Sequence, residues 1–288
     1  MPLLEGQAKV RDLVLGPGTP YNFLNGFNPW DREVRADQGG PRPWAHGSWS
    51  GAEWMNEVII PMPLEVLGAD YDKASWLQAR HALQAAFAPI GDDTEEIELR
   101  FMFGGEEFVM YGRPRVVQHD MTLIRSGVTV ANCVFVALNP LIFASEATTL
   151  GPINLPTMVG GLTVPFTVPF TIDSVLTGGS LSITNEGTAE TYMIITITGP
   201  VEEPRIVMKL ADGTIQTLEI NTKLLTGQAL VINTATRTVM LNGTISQLGN
   251  TSGEFPTLPA GGPHEMLFRA GEYNASAELS VSYTKVWW

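Results

Sequence analysis

The sequence predicts a mainly β protein of two domains: a strand-rich N-terminal domain with one packed helix, then a β-sandwich. Three observations carry this. Short β-branched runs closed by turn residues recur along the chain, only residues 73–88 show a convincing helical period, and a small, polar, Pro- and Gly-rich stretch breaks the pattern near the middle. At 288 residues the chain exceeds the ordinary single-domain range of roughly 100–200, so residues 1–142 and 143–288 are expected to fold as separate units, each with its own core.

In the first part, residues 7–15 alternate weakly as a first strand, and YNFLNGF (21–27) carries an Asn-Gly signal for a tight hairpin. From Asn28 to Met55 the chain holds Trp30, Trp44, Trp49 and Trp54 among glycines, prolines and charges, the composition of a long loop or open hairpin. NEVIIPMPLEV (56–66) returns to strand spacing, with Pro61 and Pro63 suggesting an edge. Asp70 and Asp72 offer N-caps to KASWLQARHALQAAFA, in which Trp76, Ala79, Leu83, Ala86 and Phe87 form one apolar stripe before Pro89 and Gly91 end it. LRFMFGG and EEFVMYGRPRVVQHD predict a hairpin about Gly104-Gly105, and two further strands lead to Asn139-Pro140, where the seam begins.

The second part shows no helical period. LTVPFTVPFTI, GSLSITN, ETYMIITITG, RIVMKLADGTIQTLEI, QALVINTATRTVMLNG, HEMLFRAG and ASAELSVSYTKVWW are short strands, with Asp212-Gly213 and Asn242-Gly243 as hairpin turns. Within this set ITNEGTAETYMIITITGP (183–200) reads as strand, turn, strand, stop. Such spacing predicts a β-sandwich.

Composition narrows function. Hydrophobic residues make up 44% and charged residues 16%, a rather uncharged surface that suits coverage by partners. The net charge of −13, from 30 acidic against 17 basic residues, argues against binding nucleic-acid phosphates or an anionic membrane; a negative wall would instead let DNA pass without holding it. The lone Cys133 lies in an apolar run, reads as an inert core thiol, and excludes an intramolecular disulfide framework. No apolar run reaches signal-peptide or membrane-spanning length, which predicts a chain made and kept in a cytosol-like compartment.

Catalytic and metal chemistry find no constellation. His46, His81, His119 and His264 are not spaced as metal ligands, no Gly-x-Ser-x-Gly elbow or phosphate loop occurs, and Ser282-x-x-Lys285 lies on a strand where the two side chains do not meet. Asp92, Asp93, Glu95 and Glu96 lack the spacing of a calcium loop and read as a solvated turn. No catalytic residue, cofactor or metal is therefore expected. The four tryptophans have two readings: one or two anchor the loop to its own domain, or the set forms an intersubunit belt, since large aromatics in a Gly/Pro-rich loop are favoured where a partner buries them. At this level a carbohydrate-recognising sandwich and a structural assembly protein both remain.

Taken in order, these features resemble the distal tail proteins of long, flexible-tailed bacteriophages. The likeness runs through RADQGGPRPWAHGSWSGAEWMNEVIIPMPLEV, DKASWLQARHALQAAFAP, LRFMFGGEEFVMYGRPR and FVALNPLIF, where Asn139 stands in place of the family's acidic residue before Pro140. It continues through ITNEGTAETYMIITITGP and VINTATRTVMLNG. The resemblance implies a tail-tube-like first domain and a galectin-like second domain. It further implies a homo-oligomer, a ring of six at the end of the tail tube that stacks on the tube protein and on the tail-tip hub or baseplate and lets DNA through its centre. The second domain would serve as a platform for receptor-binding proteins, and the chain would reside in the virion, at the distal end of the tail. The sugar-contact pattern His-x-Asn-x-Arg of galectins is missing, because Glu265 and Met266 follow His264, so sugar binding does not carry over.

Overall fold

In a computed structural model, the structure describes residues 2–37, 39–68, 72–91, 95–122, 128–159 and 175–288. Asp70, Asp92 and Asp93, and the whole of the expected strand LTVPFTVPFTI, lie outside the described residues. The fold is mainly β, as the turn-and-strand pattern predicts, and divides into two compact units between Ser145 and Glu146. The division falls after the short strand Ile142–Ala144 rather than before it, because that strand pairs with Phe108 and Val109 of the first unit. Ser145 adds hydrogen bonds to Glu107 and Arg100 there.

The first unit is built on an antiparallel sheet in the order Leu13–Leu15, Ala8–Val10, Ile97–Phe103, Glu106–Asp120, Val128–Ala137, Val58–Leu67, Tyr21–Phe23. The predicted first strand is two strands, turned at Arg11, whose backbone sits at φ 53°. The hairpin expected at Asn25-Gly26 does not form: Tyr21–Phe23 pairs with residues 64–66 instead, which lets Tyr21 bury its ring and donate its hydroxyl to Ala79 O at 2.8 Å. Val58–Leu67 is paired along its whole length with Val128–Ala137. On its other side it is paired only near its end, so Pro61 and Pro63 remove no needed donor.

The helix spans Lys73–Ala86. Asp72 caps it, its carboxylate accepting from the amides of Ala74 and Ser75 at 3.0 Å, and Trp76, Ala79, Leu83, Ala86 and Phe87 are all buried, as their spacing predicts. Trp76 Nε1 donates to Thr129 Oγ1 of the sheet. The far end is held by Arg11, whose guanidinium donates to the carbonyls of Ala85 and Ala88, so a cation meets the negative end of the helix dipole.

The second unit is a β-sandwich. One sheet runs Thr148–Asn154, Glu278–Tyr283, Met193–Thr198, Ala229–Asn233, Thr238–Leu241, Ile245–Ser246; the other runs Ser180–Asn185, Gly261–Arg269, Arg205–Lys209, Ile215–Ile220, Thr251–Gly253. Alternate residues of both, among them Ile195, Ile197, Leu230 and Ile232 against Ile206, Met208, Leu218 and Phe268, close one core. Each such side chain is worth about 1.5–3 kcal/mol when buried.

The segment 183–200 is not a hairpin. Ile183 belongs to one sheet and Met193–Thr198 to the other, and the connection crosses the sandwich. Asn185 holds the crossing: fully buried, it donates to the carbonyls of Ala189 and Leu258 and accepts from Gly187 N. Gly187 is required there, since a Cβ would meet Val286 O at 2.2 Å. Asn242 and Gly243 take positive φ, 49° and 70°, in the predicted turn.

Candidate interaction site

Within residues 28–55, a tiered ribbon runs from Val34 to Met55, the open hairpin of the two expectations. Val34–Asp37 pairs with Ala52–Met55, and Gly40–Pro41 pairs with Ser48–Trp49. Asn56 N donates to Glu33 O at the base, and Arg42 N to Gly47 O at the tip, where Gly47 supplies φ 93°. At Gly51 the strands come so close that a Cβ would lie 1.6 Å from Asp37 O. Nearly every residue of the ribbon is solvent-exposed, so the arm gains little from its own unit beyond its ladder.

The tryptophans divide into two groups. Trp30 sits before the ribbon, its amide donating to Asn28 Oδ1, and its ring packs edge-on against Phe101, Phe103 and Phe108 at centroid distances of 6.0, 6.5 and 5.2 Å. Phe101 and Phe108 stack on each other at 5.5 Å, so Trp30 completes an aromatic cluster of its own unit and does not belong with the outward-facing rings. Trp44, Trp49 and Trp54 sit on the ribbon with relative exposures of 104%, 61% and 58%. Arg42 lies over the Trp49 ring at 4.9 Å, and Arg35 stands in register opposite Trp54. Trp44 holds φ 63°, a left-handed position that places its ring at the tip with no packing from the chain. Val34 is also exposed, which adds to an apolar, cation-flanked arm.

The remaining candidates fall into local roles. Asn139 Oδ1 accepts from Leu141 N, a turn that lets Pro140 end the preceding strand ahead of the division. Cys133 is buried and its thiol is pushed up to about 12 by desolvation, so it stays protonated and inert. His264 is buried, with Nδ1 accepting from Ala211 N at 3.1 Å. His119 faces the helix-covered side of the sheet, in register with Ala131; desolvation first, and the charge of Arg80 second, hold it below the usual imidazole value. Lys285 pairs with Glu186, away from Ser282, whose hydroxyl receives a long contact from Thr149. Among the described residues no three His, Cys, Asp or Glu side chains gather as a metal would need. Sequence reasoning missed Asn185 and Arg11; a lone Asn-x-Gly and a lone Arg in a turn carry no long-range signal.

A two-unit β protein, one unit a sheet with a packed helix and an aromatic arm and the other a β-sandwich, is the class this geometry defines. Residues 186–287, within the second unit, match the family described as "Siphovirus-type tail component, C-terminal domain". Among solved structures the whole chain shares the fold of the SPP1 Dit (gp 19.1) protein, described as a paradigm of the hub adsorption apparatus in phages that infect Gram-positive bacteria. That likeness has a TM-score of 0.60 at 11% identity, over 98% of this chain and 93% of that one. A chain of the phage P2 baseplate in its activated conformation with Ca is similar at a TM-score of 0.48 and 11% identity, over 96% of this chain and 97% of that one. No curated protein matches in sequence.

Proposed function

We propose that this chain is a non-catalytic structural protein at the distal end of a phage tail, where six copies form a ring between the tail tube and the tail-tip hub or baseplate. The matched domain and the shared whole-chain fold support the tail-tip role. The single observation that supports assembly is the arm: Trp44, Trp49 and Trp54 stand in water on a ribbon that its own unit does not cover. A monomer would gain nothing from three such rings, whereas an adjacent copy would bury them. Trp30 is left out of this interface because it is already packed. The acidic excess fits a lumen that lets DNA through without binding it, and the second unit is a platform for receptor-binding proteins.

Light scattering on the purified chain tests this. Six chains of 31.3 kDa give about 188 kDa, and a mass of one or two chains at all concentrations, with or without tube protein, would remove the ring.

A further inference from the structure

The outer face of the five-stranded sheet carries a site that the tail-tip role does not use. Arg205 is paired in register with Arg269 on one side and Glu219 on the other, and Glu219 is paired with Ser252. These four side chains therefore form one cross-strand row, pointing away from a core that takes Ile206, Leu218 and Phe268. Two guanidiniums side by side repel. Here Arg205 Nε donates to Glu219 Oε1 at 2.8 Å, while Arg269 Nη1 turns to the carbonyls of Gly179 and Phe268 at 2.9 and 2.8 Å. Beyond the row, Glu203 and Asn221 complete the polar rim of a groove of about 310 Å³.

The rim of the groove is built from exposed polar side chains. Glu203 has φ 49°, a left-handed backbone that a side chain with a Cβ adopts at a cost on the order of 1 kcal/mol. Across from it Gly271 leaves space, since a Cβ there would press to 3.2 Å from Glu203 Oε2. The side chains of Glu203, Asn221 and Ser252 have no hydrogen-bond partner among the described residues. A carboxylate, an amide and a hydroxyl thus line the groove and are open to a ligand.

The balance of groups selects the ligand. Two carboxylates stand against two guanidiniums, so a phosphate or sulfate would meet Glu203 and Glu219, and a cation would meet Arg205 and Arg269. A neutral ligand rich in hydroxyls satisfies both sets at once: each hydroxyl donates to a carboxylate or amide oxygen and accepts from a guanidinium or amide N–H. Ala270 alone leaves a small apolar patch for the C–H face of a ring. We propose that this groove binds a neutral saccharide, by a set of contacts unrelated to the His-x-Asn-x-Arg pattern that the sequence lacks. The site lies within one unit and holds whether or not the chain forms a ring.

Saturation-transfer NMR on the full chain with glucose, galactose, N-acetylglucosamine, cellobiose, lactose and chitobiose tests it. At least one of these neutral sugars should bind, and Glu219→Gln and Glu203→Gly should each weaken it tenfold or more. The second variant guards against a folding artefact, because glycine relieves the φ of 49° and should melt no lower than the parent. Silence across all six sugars, equal affinity in both variants, or preferential binding of the anionic N-acetylneuraminic acid overturns the proposal.

Discussion

Replacing Trp44, Trp49 and Trp54 together by alanine should dissolve the assembly and leave the monomer intact. An aromatic side chain carries about 150–250 Å² of surface, so relative exposures of 104%, 61% and 58% leave on the order of 330–560 Å² of ring in water. At ~25 cal/mol per Å² the gross value on burial is about 8–14 kcal/mol per arm. Ordering the ribbon and losing free motion offset part of this. Centrally placed Trp residues typically cost 2–4 kcal/mol on truncation, and such effects are not additive, so about 4–6 kcal/mol per contact is expected for the triple change, on the order of 10³–10⁴ in affinity. Within its own unit the set makes only ribbon contacts, chiefly Arg42 over Trp49, so the melting temperature of the isolated chain should shift by no more than the equivalent of ~1 kcal/mol. Light scattering and calorimetry on parent and variant read both quantities. A variant that keeps the parent's mass at micromolar concentration refutes the arm as the assembly contact; one that loses mass together with its fold refutes the claim that the rings are free of the monomer.

Trp30→Ala should behave in the opposite way, lowering the unfolding temperature by the equivalent of about 2–4 kcal/mol through loss of the Phe101, Phe103 and Phe108 contacts, as calorimetry would show. Asn185→Ala strands the Ala189 carbonyl and the Gly187 amide in the sandwich core, while Leu258 O keeps Thr191 N, and should cost about 2–3 kcal/mol in denaturant unfolding. On acidification stability should fall in two stages. His119 sits below its ordinary 6.5 because burial disfavours the charged ring, so the unfolded chain takes up the proton first and stability drops as pH falls below about 6.5, a slope that His119→Gln should flatten. Glu186, Asp120 and Asp212 are depressed chiefly by hydrogen bonds from Lys285, Thr122 and Thr214, so their contribution is present above the usual carboxylate range and is lost as pH falls through and below it. Cys133 should resist thiol reagents in the native protein and react only on unfolding.

What was legible in the sequence was local. The helix, its Asp72 cap and its five-residue stripe follow from spacing alone, and the Asn242-Gly243 turn follows from the φ values its residues tolerate. Pairings between distant strands were not legible. Tyr21–Phe23 carries an Asn-Gly signal after it, yet the strand gains more by lying beside residues 64–66 and burying Tyr21 against the helix. Residues 183–200 look like a hairpin because a sandwich crossing and a hairpin use the same turn chemistry; only the burial of Asn185 tells them apart. The tryptophan loop was recognised as unusual from composition, but its division into one packed ring and three exposed ones depends on the Phe101 and Phe108 cluster, far along the chain. The saccharide groove left no motif because its row is assembled from four different strands, one residue from each.

The proposed place of the chain is the end of a tail. Antibodies raised against the full chain, applied to virions of the phage that encodes it and viewed by electron microscopy, test it directly. Label should be confined to the tail end distal to the capsid, on a feature with sixfold symmetry. Label on the capsid or along the length of the tube would contradict it, as would virions that lack the chain.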